Sequence, residues 1–238
     1  MSKIMKVIQI IILISFLGAI FFLIQSQPVE NFQSVKEVIV LPAPETTGNV
    51  SVEEAINKRR SIRNFQEKPL TLKELAQLLW AAQGITDKKN GLRTVPSAGA
   101  IYPLEIYIVV GYNGVKGLNS GFYHFNPINN ELDYLINGDM RLNLSNTAYG
   151  QESIKKAPVT IIITGVYSRT QNRYGDRGIQ YVNMEAGHSG QNLYLQAEAL
   201  ELGTVVIGSF SNEDVQTVLK LPDTHTPLYL IPVGHPKT

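Results

Sequence analysis

"GLRTVPSAGAIYPLEIYIVV", Gly91 to Val110, sets a turn of small residues directly before a strand. The β-branched and aromatic run "LEIYIVVG" suits a sheet position covered by protein. "PSAGA" lets a flat ligand approach the main chain and leaves N–H groups free to donate. Upstream stands a second unusual stretch, "INKRRSIRNFQ", Ile56 to Gln66. It gathers Lys58, Arg59, Arg60 and Arg63 in a chain whose formal net charge is only +1. Such a run can be a solvated face, a membrane-facing patch or the seat of an anion. Cations at a helix C-terminus account for Lys58 and Arg59. Arg60 and Arg63, with Ser61 between them, also offer the guanidinium forks and the hydroxyl that a phosphate accepts.

Around these two stretches, helices and strands mix. "SVEEAINKRR" opens on a Ser cap with Glu53 and Glu54 in its first turn. "TLKELAQLLWAAQG" has Thr71 as cap, Glu74 completing a capping box and Gly84 as stop. "GFYHFNPINNELDYLI" reads as a hairpin turning at Asn126 to Asn130, and "APVTIIITGV" as a buried strand. A long helix follows over "YVNMEAGHSGQNLYLQAEALELG". The expected order then closes with strand "TVVIGSF", helix "SNEDVQTVLK" and strand "PLYLIPVG". This is the pattern of an α+β sandwich with a mainly antiparallel sheet. No glycine-rich dinucleotide fingerprint follows a strand.

The chain has no cysteine, which excludes disulfides, iron–sulfur clusters and thiol catalysis. Its four histidines, His124, His188, His225 and His235, lack paired metal-ligand spacing, so no metal site is expected. Near-neutral charge gives nucleic acid no general footing. Lys3 and Lys6 precede the apolar run Val7 to Ile24, about the length that crosses a bilayer. An uncleaved anchor is preferred to a cleaved signal or a buried helix, with the remainder of the chain on the extracytoplasmic side. Residues 1–24 are then the anchor, 25–49 a proline-punctuated linker and 50–238 the folded domain. "VKEVIVLP" within the linker can lie on that domain as a short strand.

"RRSIRNF" followed by "RTVPSAGAIYPLEIYIVV" resembles the FMN-dependent nitroreductase family. The narrower resemblance is to its branch of SagB-type and thiazole/oxazole-forming dehydrogenases. The likeness runs from Val50 to Pro236, taking in "MEAGHSGQNLYLQAEALELG", "TVVIGSF" and "YLIPVGHP". It implies a homodimer with two FMN sites at the interface, and NAD(P)H as a possible electron donor. It places Arg59, Arg60 and Ser61 at the phosphate and ribityl end, and Arg63 towards the pyrimidine edge of the ring. Pro96, Ser97, Ala98 and Gly99 would come from the second copy. The backbone of Gly208 and Ser209 would face the flavin near N5, making Arg63 and Gly208 the candidates closest to the chemistry. The chain departs from the pattern by ending soon after "VGHP", with Lys237 the one basic residue there. Glu185 and His188, one helical turn apart, can share a face. Arg93 is a candidate pocket residue. Tyr102, Tyr107, Tyr174 and Tyr181 read as packing or dimer residues, with Tyr174 on a loop over the site. The substrate would be a small molecule: a nitroaromatic, a quinone or a dedicated organic compound. A flavin-binding or small-ligand-binding protein without turnover is the alternative.

Overall fold

A computed structural model describes residues 37–237. The anchor expected over residues 1–24 lies outside them. Among the described residues no helix is long and apolar enough to cross a membrane.

The first strand, β1 (Val38–Val40), comes from the stretch read as linker and pairs with β6 (Glu131–Asn137). Two helices follow, α1 (Val52–Lys58) and α2 (Leu72–Gln83). Each begins where the sequence supplies a cap. Ser51 Oγ accepts from the Glu54 amide at 3.1 Å. Thr71 and Glu74 exchange bonds in both directions as a capping box. A short hairpin, β2 (Ile85–Asp87) and β3 (Leu92–Arg93), leads to the one-turn helix Ala98–Ala100.

The central strands are β4 (Leu104–Val110), β5 (Gly121–Asn126), β7 (Val159–Gly165) and β9 (Thr226–Gly234). With two-residue β8 (Gly203–Thr204) they complete a seven-stranded sheet in the order β1-β6-β5-β4-β7-β9-β8. Every neighbouring pair is antiparallel. The β5–β6 hairpin turns where expected. Asn126 Oδ1 accepts from the Ile128 amide at 3.0 Å, and Asn130 adopts the left-handed conformation.

Alternation along β4 divides the core. Leu104, Ile106, Ile108 and Val110 face the layer holding Leu75, Leu78 and Leu79 of α2 and Val182 and Leu193 of the long helix α6 (Arg177–Ala199). Tyr107 and Val109 face the opposite layer, with Leu144 of α3 (Arg141–Thr147) and Val215 and Leu219 of α7 (Asn212–Leu219). Helices on both faces of a mainly antiparallel sheet are the sandwich the sequence implied.

Several elements differ from the sequence reading. The strand expected across "TVVIGSF" shrinks to β8 and one bridge, Ile207 to Leu230. There the Val206 amide leaves the ladder for the Tyr194 hydroxyl, 3.0 Å away. "QNRYGDRG" is not a loop up to Tyr174, which ends helix α5 (Tyr167–Tyr174). Gly175 stops that helix in a positive-φ conformation, and α6 starts at Arg177, ahead of the expected Tyr181. Short helices α3 and α4 (Glu152–Lys156) fill a stretch where polar composition hides their periodicity.

Candidate functional site

The arginine turn begins where α1 ends. Lys58 pairs with Glu54 one turn back, at 2.6 Å. Arg60, rather than Arg59, serves the helix end: its Nη1 donates to the Asn57 and Arg59 carbonyls at 3.0 and 2.8 Å. Arg59 instead lies over the Tyr194 ring, 5.1 Å from the centroid. The Ser61 and Tyr194 hydroxyls are 2.9 Å apart. Tyr194 already accepts from the Val206 amide, so its own proton is free to go to Ser61. That leaves the Ser61 hydroxyl as a donor. Ile62 donates to the Thr204 carbonyl at 2.9 Å, tying the turn to the segment that runs on to Gly208 and Ser209. Arg63 is exposed and makes no hydrogen bond or ion pair with any described residue.

Gly208 and Ser209 are both exposed, just beyond Ile207, which exchanges two backbone bonds with Leu230 at 2.9 and 3.0 Å. The Tyr229 ring lies 3.9 Å from where a Gly208 side chain would start and 3.8 Å from that point at Gly190. These bare backbones and one ring make a low wall beside the arginine turn.

The "PSAGA" turn is held by a chain of polar groups. Ser97 Oγ accepts from the Tyr102 amide at 2.9 Å. The Tyr102 hydroxyl accepts from the Arg93 amide at 3.3 Å, and the Arg93 guanidinium stands 4.7 Å from the Tyr102 ring centroid. Arg93 Nη1 donates to Gln83 Oε1 at 3.1 Å, and Gln83 Nε2 donates to Glu185 Oε1 at 3.4 Å. Glu185 is 3% exposed, and the Ser97 hydroxyl acts on its carboxyl from the other side of the turn. Burial lifts the Glu185 carboxyl to about 7, against the opposing pull of Ser97, Gln83 and Arg93. Burial also lowers Arg93, whose Nε is enclosed without a partner.

The turn itself is strained and closely covered. Gly99 has φ 63°, while Ala100 and Tyr102 take left-handed φ values of 52° and 53° despite their side chains. A side chain on Gly99 would meet the Tyr174 hydroxyl at 2.7 Å and Arg173 Nη1 at 2.8 Å. The end of α5 therefore rests on the turn. Arg169 on the same helix pairs with Glu105 of β4 at 2.6 Å, and Glu105 also meets His124 Nε2 at 2.8 Å. Burial raises the Glu105 carboxyl, but His124 and Arg169 outweigh it and hold it at about 2.

These groups sit along α6. Glu185 and Tyr194 are nine residues apart, about 13 Å along a helix. The structure thus joins Arg59, Ser61 and the approach to Gly208 at one level, and Ser97, Arg93 and Glu185 at another. Pro96 and Gly99 are exposed, with Ser97 and Ala98 half-buried. Glu185 and His188 do not share an environment: Glu185 turns inward and His188 is exposed. Tyr107 is buried, its hydroxyl 2.7 Å from His225 Nδ1. Tyr181 packs edge-on against Tyr174 at 5.2 Å. Sequence reasoning passed over Tyr194, Tyr229 and Gln83. The first had a signal, since it falls one turn after Gly190 on the helix that the arginine turn must touch.

Residues 56–235 match the family described as "Nitroreductase family". A nitroreductase-like protein of Methanocaldococcus jannaschii is 43% identical over 185 residues, covering 78% of this chain and 91% of its own. The microcin B17-processing protein of Escherichia coli is 25% identical over 198 residues, covering 81% of this chain and 72% of its own. A solved nitroreductase-like structure from Ralstonia eutropha superposes with a TM-score of 0.74 at 27% identity, over 84% of this chain and 90% of that one.

Proposed function

Because the chain belongs to the nitroreductase family, we propose that it is an FMN-dependent oxidoreductase whose flavin lies between two copies of the chain. One observation carries this reading most directly. Tyr194, fixed by the Val206 amide, holds the Arg59 guanidinium and the Ser61 hydroxyl at one point, a cation and a neutral donor suited to a phosphate monoester.

The residues present fit the cofactor. Arg59 and Ser61 supply a cation and a neutral donor for the phosphate and ribityl end, and Arg60, its Nη1 held by the Asn57 and Arg59 carbonyls, adds positive charge beside them. Arg63, unpaired among the described residues, is free to turn its charge towards the pyrimidine edge. Gly208 and Ser209 offer bare main chain to the ring, and Pro96, Ser97, Ala98 and Gly99 of the second copy close it from the other side. Bound FMN would supply two-electron chemistry, taking a hydride at N5 and passing it on in a ping-pong exchange. The protein's part is to orient and desolvate the ring, with Arg63 favouring the negative charge that reduction places there.

The exposed strip of α6 supports a symmetric pair. Met184, His188 and Gln191 face solvent, and Gly187 has open space where a side chain would stand. A second α6 can approach closely there. The substrate class is a nitroaromatic, a quinone or a dedicated organic molecule. Similarity to a microcin-processing protein favours the dedicated compound. NAD(P)H is one candidate donor. If the apolar run 7–24 tethers the domain outside the cytoplasm, a membrane quinol is the better one.

The test is the visible spectrum of the purified chain, with release and identification of the cofactor. Yellow protein carrying FMN that a donor bleaches and an acceptor restores supports the proposal. Colourless protein that cannot be reconstituted with FMN overturns it, and bound FMN that no donor reduces favours a binding role without turnover.

A further inference from the structure

A cavity of about 1120 Å³ lies at the end of the sheet where β4 and β9 finish and β7 begins, beyond the arginine turn. Its walls carry Lys68, Lys116, Arg141, Lys155, Lys156 and Lys237. The carboxylates available to these six cations are few. Asp139 holds Arg141 at 2.6 Å, and Glu152 is divided between Lys155 at 3.7 Å and Lys156 at 3.1 Å. Lys68 faces the His235 ring at 3.4 Å, which offers no negative charge. Lys116 and Lys237 are exposed and have no acidic partner among the described residues. With Glu67 counted, the described residues of the region keep three positive charges in excess, although the whole chain carries only +1.

So much uncompensated charge in a concave surface is costly unless an anion shares the space. A concave wall also focuses the field and raises the local anion concentration. The cavity is large enough for a nucleotide-sized ligand. On its rim stands Tyr112, 72% exposed, its amide fixed to Asp139 at 2.9 Å. A ring presented to water beside lysines is a stacking surface for a flat base.

We propose that this cavity binds a nucleoside diphosphate, separately from the flavin. Its roughly three negative charges at neutral pH match the three excess positive charges. Lys116, Lys237 and Lys68 hold the phosphates, and Tyr112 stacks on the base. The cavity is linked to the arginine turn through Phe65, which is buried, and through the Lys237 amide, which donates to the Asn64 carbonyl at 3.0 Å.

Calorimetric titration of the FMN-saturated full chain with ADP tests this, alongside inorganic pyrophosphate as the phosphate-only probe. Low ionic strength is used, because exposed charges are screened within about 10 Å at 0.1 M salt. A repeat without added FMN keeps the readout intact if the flavin reading fails. Saturable ADP binding is expected, weakened at least about tenfold by Lys116→Glu with Lys237→Glu. The same charge change at Lys88→Glu with Lys89→Glu, in the exposed β2–β3 turn, should leave it unchanged. Tyr112→Ala should weaken ADP and not pyrophosphate. Absence of ADP binding overturns the proposal, as does equal loss in both double variants. Displacement of FMN by ADP would also overturn it, by making the cavity part of the flavin site. Equal affinity for ADP and pyrophosphate would remove the nucleoside from the assignment.

Discussion

At the scale of the residue, the four cations of the arginine turn divide into separate tasks. Lys58 and Arg60 are absorbed by α1 itself, through Glu54 and through the helix-end carbonyls. Arg59 is positioned by Tyr194, and Arg63 is left unused among the described residues. Arg59→Ala should therefore weaken FMN binding by about 1.5–3 kcal/mol, the range for a charge-assisted hydrogen bond. Fluorescence titration with FMN reads this directly. Arg63→Ala should chiefly lower the flavin's reduction potential, seen by titration against a reference dye. Glu185 makes a different prediction. Its carboxyl stands at about 7 in the fold against an ordinary 4.5, so the folded chain holds a proton that the unfolded chain releases. That contribution is complete below about pH 4.5 and is lost as pH rises through about 7. Glu185→Gln should remove this fall, giving a flatter melting temperature between about pH 5 and about pH 8. An unchanged slope would show that Glu185 is not buried as described. Residue types were legible in the sequence, but partners were not. That Arg60 and Arg59 exchange roles depends on Tyr194, which is far away in the chain.

At the scale of the element, whatever is specified locally was legible. Caps, stop glycine and hairpin turn at Ser51, Thr71, Gly84 and Asn126–Asn130 all fall where short-range chemistry places them. Thr71→Ala removes the hydroxyl half of the capping box, leaving the residue-71 amide on Glu74, and should cost about 1 kcal/mol in urea unfolding. Elements stabilised from a distance were not legible. The "TVVIGSF" strand fails because Tyr194 takes the Val206 amide. α5 is polar along much of its length and is held by Arg169 on Glu105. Glu105, held at about 2, stabilises that attachment above its ordinary 4.5 and loses it as pH falls towards 2. Glu105→Gln should therefore loosen α5 at neutral pH, giving faster amide exchange at Arg173 and Tyr174 than in the parent chain.

At the scale of the whole molecule, the two motifs that stood out in the sequence are set at different levels of α6, Tyr194 and Glu185, which are about 13 Å apart along the helix. They meet around one flavin if two copies pair through the exposed strip of that helix. The pairing can be tested by mixing two defective variants. In Arg59→Ala with Ser61→Ala the phosphate end is lost. In Gly99→Val the opposing turn is blocked, because a side chain there meets Tyr174 and Arg173. Each variant alone should bind FMN poorly. After subunit exchange, half of a statistical mixture is hybrid dimer, and each hybrid carries one intact site of two. Measured flavin occupancy should then recover to about one site in four of the parent protein. Mixtures that form hybrids, as verified by mass spectrometry, yet bind no more FMN than the separate variants would contradict a flavin shared between two copies.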